Sequence, residues 1–365
     1  SNNTAVGTDA LSVNTTGVKN TAVGTEALDA NTTANDNTAL GYQALTSNTT
    51  GTANTAVGGT SVLGSNTTGS RNTAVGFQAL TSNQTVSNNT AVGYNSLALN
   101  TTGDNNTALG ANSLFANTTA SNNTALGKDC LESNTTGEHN TAVGSDCLET
   151  NTTGSSNTAV GSGALDANTT GADNVAVGAF ALDACINGNY NTAVGIGALG
   201  NQTTSSSNTA MGRVAGHDIT TGSNNLCLGH AAGRSTSPFH ITTGSNRIVL
   251  GNNDISNAYI KVAFTVTSDK RDKIEDGVVS HGLSFVNQLK PKSFWFRKNR
   301  ESDEKTGDKR YGFYAQDILA LEGSDSVVID SADSNNLKFK GDQLIPILVN
   351  AIKELSAKVT ALEAG

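Results

Sequence analysis

Aromatic side chains are scarce in this sequence: one tryptophan, six tyrosines and ten phenylalanines among 365 residues. Proline occurs three times, methionine once, and Asp, Glu, Lys and Arg together make up only 15%. No apolar run approaches the ~18 residues that a membrane-spanning helix needs, so insertion into a membrane is not expected. No signal-peptide pattern is visible, and Ser1 opens directly inside a repeat, as expected of a fragment. Basic clusters are missing as well. The net charge is -9 and the pI about 5.0, which argues against nucleic acid and anionic membranes as partners. The four cysteines, Cys130, Cys147, Cys185 and Cys227, form no CxxC pair and no histidine pattern accompanies them, so no metal or other cofactor is expected. Cys130 and Cys147 share a phase of the repeat described below, which leaves a disulfide open. Small buried side chains standing in for alanine are the favoured reading.

What charge and aromatic content there is lies unevenly. Residues 1–257 hold six Lys/Arg against fifteen Asp/Glu, a balance of -9, whereas residues 258–365 hold sixteen of each. Ten of the 17 aromatics, Trp295 among them, fall in the shorter second segment. Two different materials are joined end to end: 1–257 as one domain, 258–267 as a linking strand and 268–365 as a second domain.

The first segment is a repeat. Asn-Thr-Ala-Val-Gly recurs with its glycine at Gly7, Gly24, Gly41 and onward to Gly229, every 17 residues with a single 18 between Gly58 and Gly76. A stretched last copy ends at Gly251. Leucines from Leu11 to Leu199 keep the same period, and so does an Asn-Thr-Thr track from Asn14 to Asn168. A 17-residue unit is too short for a helical hairpin. Thr-Ala-Val suits a strand and the Asn, Thr and Gly around it suit turns, so two short strands and two turns per coil of a β-solenoid are expected. Within Thr4-Ala5-Val6-Gly7 side chains alternate, Ala5 and Gly7 facing one way and Thr4 and Val6 the other. Coils stacked at ~4.8 Å give a rod of roughly 70 Å, with amide ladders of like asparagines along it. Such a thin, small-residue solenoid has difficulty offsetting its ordering entropy alone. A homotrimer associating along the leucine track is therefore expected, as three separate solenoids or one interwound triple helix.

Other readings of the shaft are weaker. The Asn-x-Thr sequons track the period, which assigns them to turns and ladders rather than to glycosylation. Adjacent threonines would point to opposite faces, against a flat ice-binding array. Asp129 and Asp146 share a phase that Gly163, without a side chain, occupies in the next coil, against a calcium repeat. The stretch from Arg213 to Ile241, with Pro238 and Phe239, is the least regular and is expected to protrude as a receptor-contacting loop. Over residues 1–251 the repeat resembles the head repeats of trimeric autotransporter adhesins and similar arrays in phage tail fibres, which implies a trimeric β-roll or β-helix.

The second segment mixes patterns. Residues 259–267 alternate as a strand, a helix precedes Lys290-Pro291, Ser293–Arg297 reads as a strand, Glu301–Arg310 as a charged loop, and Tyr311–Ile318 leads into a helix. Leu348, Ile352, Leu355, Val359 and Leu362 step by four and three, heptad spacing suited to a short three-helix coiled coil over about 344–363. Four ordered blocks carry a resemblance: Ser268-Asp269-x-Arg271-x-Lys273-Ile274, Leu289-x-Pro291, Tyr311-Gly312-Phe313-x-Ala315-Gln316-Asp317, and Leu344-Ile345-Pro346-x-Leu348 with Ala351–Leu355. Residues 268–365 are thereby similar to the intramolecular chaperone domain of phage tail spikes and fibres known from endosialidases. The resemblance implies a trimeric α+β domain that gathers three chains, templates the preceding β-helix and cleaves itself off. It assigns Ser268 as nucleophile, Lys273 as its base, and Asp269 and Arg271 as positioning groups. Attack on the preceding carbonyl passes through a five-membered ring and cuts Thr267–Ser268; a cut at Ser268–Asp269 would need another chain's serine or a water.

The expectation is thus a mainly β chain: a structural fibre or spike in a virion, outside the cell, partnered by its own copies and by a host receptor or glycan. Its enzymology is limited to one self-cleavage by a Ser-Lys dyad. The alternative is a cellular trimeric adhesin or extracellular filament. A glycan-cleaving enzyme would need a carboxylate-rich, aromatic-lined pocket, for which seven scattered aromatics in 257 residues are too few.

Overall fold

The structure is a computed structural model of the chain; it describes all residues except 1, 256, 257, 260, 262–267, 269, 298, 299, 301, 324, 325, 332, 333, 335, 336 and 365. Two compact units result, Ser1–Asn253 and Asp254–Gly365. The expected linking strand over 258–267 lies largely outside the described residues.

The first unit is a β-solenoid. Fifteen three-residue strands, from β1 (Thr4–Val6) through β14 (Leu226–Leu228) to β15 (Ile248–Leu250), form one parallel sheet in sequence order. Each strand pairs with the next in register, Thr on Thr and Ala on Ala, as in Thr4↔Thr21 and Ala5↔Ala22. Among the described residues each coil has one strand, not the two expected. The remainder of the coil is held by turn-type hydrogen bonds to the neighbouring coil, such as Leu28 N to Ala44 O (3.1 Å) and Thr32 N to Thr49 O (3.4 Å).

Inside the coil lie the strand alanines, a second alanine and the leucine track, all fully buried from Ala22 and Leu28 onward. This corrects the expected trimer seam: the leucines are the core of the single chain and face no partner. Each of them also sits in the left-handed region, with φ between 51 and 55° from Leu11 to Leu199. That conformation costs about 1–2 kcal/mol for a non-glycine residue, whereas burying a leucine contributes about 1.5–3 kcal/mol. Burial wins, because the left-handed turn is what directs the side chain inward. The strand glycines are required for a different reason. A Cβ on Gly41 (φ +137°) would lie 1.7 Å from the carbonyl oxygen of Gly58 in the next coil.

Two asparagines per coil hold the turns. In one track Asn48 Nδ2 donates to Asn31 Oδ1 (3.3 Å) in the preceding coil and to Gly51 O (2.9 Å) in its own. In the other, Asn37 Nδ2 donates to the same Gly51 carbonyl (2.9 Å), while Asn20 Oδ1 accepts from Asn37 N (3.0 Å). The buried turn carbonyl thus receives two amides, and ladders run at two phases. The arc between the tracks never changes length. The two longer coils gain their residues between the strand glycine and the first track: one after Gly58, and five between Gly229 and Ile241.

At Cys185 the first track lacks an amide, and the carbonyl oxygen of the preceding rung, Asn168 Oδ1, is buried with no partner. The Cys185 thiol is too weak a donor to replace it. Cys185→Asn is expected to restore the ladder and stabilise the shaft by about 1 kcal/mol, read as a higher denaturant midpoint in far-ultraviolet circular dichroism. An unchanged or lower midpoint would show that the open rung is harmless. All four cysteines are free and buried. Burial pushes the Cys227 thiol up to about 11 and raises Cys185; a hydrogen bond with Cys147, then burial, raises Cys130. The same hydrogen bond lowers Cys147, and burial keeps all four thiols away from reagents in the folded shaft.

The second unit is a small α+β assembly. Helix α1 (Leu283–Val286), an antiparallel pair β16 (Lys292–Arg297) and β17 (Lys305–Gly312), helix α2 (Ala315–Glu322), the pair β18 (Ile329–Asp330) and β19 (Lys338–Phe339), and helix α3 (Leu344–Glu363) follow in order. The stretch read as a charged loop is in large part β17. Its charged residues, Lys305, Asp308, Lys309 and Arg310, fall on both faces of the strand and are exposed. The core gathers Phe285, Ile318, Val328, Ile329, Leu344 and Ile347.

Candidate functional site

A single 3-10 turn, Lys270–Asp272, folds the start of the second unit back on itself. Lys273 N closes it on Lys270 O at 3.2 Å. The five-residue separation of Ser268 and Lys273 is thereby spanned, and Lys273 Nζ donates to Ser268 Oγ at 2.6 Å. Both side chains are exposed in the single chain. Arg271 lies on the turn between them. Asp269 and Thr267, and hence one residue of each candidate scissile bond, lie outside the described residues.

Elsewhere in the unit, carboxylates that sequence reasoning did not single out tie its elements together. Glu322, buried at the end of α2, accepts from three successive backbone amides: Val327 N (2.9 Å), Val328 N (2.6 Å) and Ile329 N (3.1 Å). Glu354 on α3 accepts from Leu283 N (2.9 Å), and Asn350 Nδ2 donates to His281 O (2.9 Å). A Cβ at Gly282 would lie 1.9 Å from the Glu354 carboxylate, so a larger residue there would have to displace that side chain from Leu283 N. The one legible signal for α3's role is its periodicity, and only for the apolar residues: Leu344, Ile347 and Ala351 are buried against the unit.

With this geometry the comparisons can be set beside the fold. Residues 268–327 match the family described as chaperone of endosialidase. The matched stretch opens at Ser268 and stops before α3, so the terminal block 344–355 lies beyond it. No curated protein and no solved structure matches the chain. An endosialidase-chaperone stretch behind a β-solenoid of 17-residue coils fits a tail-spike-like protein with a C-terminal chaperone. Among the described residues no helix is long and apolar enough to cross a membrane, and no cluster of side chains could hold a metal ion.

In the shaft, the irregular stretch narrows to the coil between β14 and β15. Asp218, on the coil before it, gathers its neighbour His217 Nδ1 (3.2 Å) with Arg234 Nε (3.2 Å) and His240 Nε2 (3.1 Å) of this coil, and Arg247 stacks over Phe239 (4.7 Å). Burial alone would raise the Asp218 carboxyl, but the His217 hydrogen bond and the Arg234 charge outweigh it and hold it below its ordinary value. A depressed carboxylate contributes stability above its unfolded pKa and loses it as pH falls through the folded one. Asp218→Asn is therefore expected to lower the shaft's thermal midpoint at neutral pH, with the gap to wild type closing in strong acid. A gap that acid leaves unchanged would exclude the ionised carboxylate as its source.

For the second unit, removal of Glu322 leaves three buried amides without an acceptor. Glu322→Ala is expected to destabilise this unit by about 1–3 kcal/mol. Trp295, the chain's single tryptophan, reports on this unit alone by fluorescence. A denaturant midpoint equal to wild type would show that water replaces the carboxylate.

Proposed function

We propose that the chain is the distal part of a viral tail fibre or spike, in which three copies are gathered by the C-terminal unit, the solenoid shafts stack beneath that constraint, and Ser268 then cuts the chain once. The observation that carries this reading is the Lys273–Ser268 hydrogen bond at the first residue of the endosialidase-chaperone match. The family implies self-association into a trimer. Helix α3 supports that implication: its heptad series Leu348, Ile352, Leu355, Val359 and Leu362 is exposed, while the residues it packs on its own unit are a different set. Three such helices would bury the series as a coiled coil.

The chemistry follows from the pair. Neutral Lys273 takes the proton of Ser268 Oγ as the oxygen attacks the Thr267 carbonyl carbon. The C–N bond to Ser268 breaks, and its nitrogen leaves as an amine that takes up the proton from Lys273. Water then hydrolyses the resulting ester, freeing the Thr267 carboxylate and restoring the hydroxyl. A lysine serves as base when it is desolvated, and in one chain Lys273 is exposed. Assembly is the step that would cover it, so cleavage would follow trimerisation. Host contact is assigned to the coil bearing Arg234, Phe239 and His240, where a shaft with few cations places two of its six Lys/Arg, Arg234 and Arg247.

The test is intact-mass spectrometry of wild type beside Ser268→Ala and Lys273→Ala. A wild-type shaft fragment ending at 267, absent from both variants, is the expected result and places the cut at Thr267–Ser268. A fragment ending at 268 would move the cut to the other side of the serine. A wild-type chain that stays whole while trimeric by light scattering would overturn the self-cleavage and leave a permanent cap.

A further inference from the structure

The strands carry side chains on two faces. The middle residue of each is buried, and the first and third point outward. At the third position the chain repeats Val or Leu, with Met211 as the exception, from Val6 to Leu250. None of these residues is buried in the single chain, and eight are exposed, for example Val6 at 57%, Leu40 at 46%, Leu109 at 41% and Met211 at 48%. In β15 both outward positions are apolar and exposed, Ile248 at 72% and Leu250 at 57%, so the stripe broadens there.

Nothing in the solenoid's own packing needs these side chains, and a solitary rod would place charge there. None of the fifteen strands contains a charged residue; every acid of the shaft lies at another phase of the coil. Two identical acidic rods repel each other on every face but this one. At ~4.8 Å per rung the stripe is roughly 70 Å long, and with outward residues ~7 Å apart it is on the order of 10 Å wide. That is about 700 Å² of Thr/Val face, of which the Val/Leu row is roughly half, and it is close to the ~800 Å² per partner of a standard interface.

We propose that the Thr/Val strand face is the seam through which three copies of the shaft pack, in parallel and in register, with like residues meeting at each level. This rests on the trimer read from the C-terminal unit and adds the surface the shaft uses. The leucine track stays inside each chain, so the assembly is three separate solenoids side by side rather than one interwound helix.

The test uses the full chain. Leu109→Cys puts a thiol on the stripe, and Thr102→Cys puts one on an exposed turn at another phase. The four native thiols are buried and stay silent. With a short bismaleimide, Leu109→Cys is expected to give a two-chain band, the largest product possible with one reactive thiol per chain, and Thr102→Cys only single chains. A trimer by light scattering in which Leu109→Cys stays uncross-linked would overturn the seam and spare the trimer. A monomeric wild type would overturn both.

Discussion

The structure depends on amide groups buried where no water can reach. Each coil turns inward after its second strand-distal segment, and a backbone carbonyl such as that of Gly51 is left in a dry interior. Without a partner it would cost about 1–3 kcal/mol. Two asparagine side chains answer it, one from its own coil and one from the coil before. Their oxygens in turn serve a backbone amide and the next asparagine, so no coil is complete without its neighbour. This makes stability cumulative along the rod. It also explains why added residues are tolerated between the strand glycine and the first asparagine track, but not in the arc between the tracks: only there would an insertion separate the two amides that share one carbonyl.

Cross-section and surface follow from the same constraint. With two asparagines filling one side of the coil, space remains for two alanines and one leucine. The leucine reaches that space only through a left-handed backbone, whose cost its burial exceeds. Nothing larger fits, which is why the shaft holds so few aromatics. The apolar residues that the interior cannot accept stand on the outer strand face. A rod with an exposed Val/Leu stripe and acidic flanks is incomplete by itself.

Much of this was legible in the sequence. The 17-residue period fixes a solenoid, and Thr-Ala-Val fixes where its strand lies. What period alone cannot tell is which periodic residue faces inward. The leucine track was expected to be the outer seam because so thin a solenoid needs further burial, but the left-handed φ of Leu28 and its equivalents places these side chains inside the coil. The second asparagine track was hidden inside the strand motif, since Asn20 reads as part of Asn-Thr-Ala-Val-Gly. In the C-terminal unit, Ser268 and Lys273 were visible through a family pattern and their contact through the short turn between them. Glu322, Asn350 and Glu354 were not, because each acts on backbone amides or carbonyls far along the chain, and such a partner leaves no spacing to read.

A shaft of near-identical coils has one weakness that its own interactions cannot repair. Shifting one chain by a whole coil against its neighbour preserves every Val-on-Val contact except those at the ends, so the stripe that favours association does not define register. Register must come from an element that occurs once. The C-terminal unit is such an element: its core residues and the exposed heptad series of α3 have no second copy along the chain. An exposed Ser-Lys pair suits the same logic. While it remains solvated the lysine is a poor base, and a cut made before the chains were aligned would discard the only part able to align them. Tying the chemistry to the burial that assembly brings would order the two events without any further control, and removal of the unit afterwards would leave the shafts held by a barrier to unfolding rather than by a reversible cap.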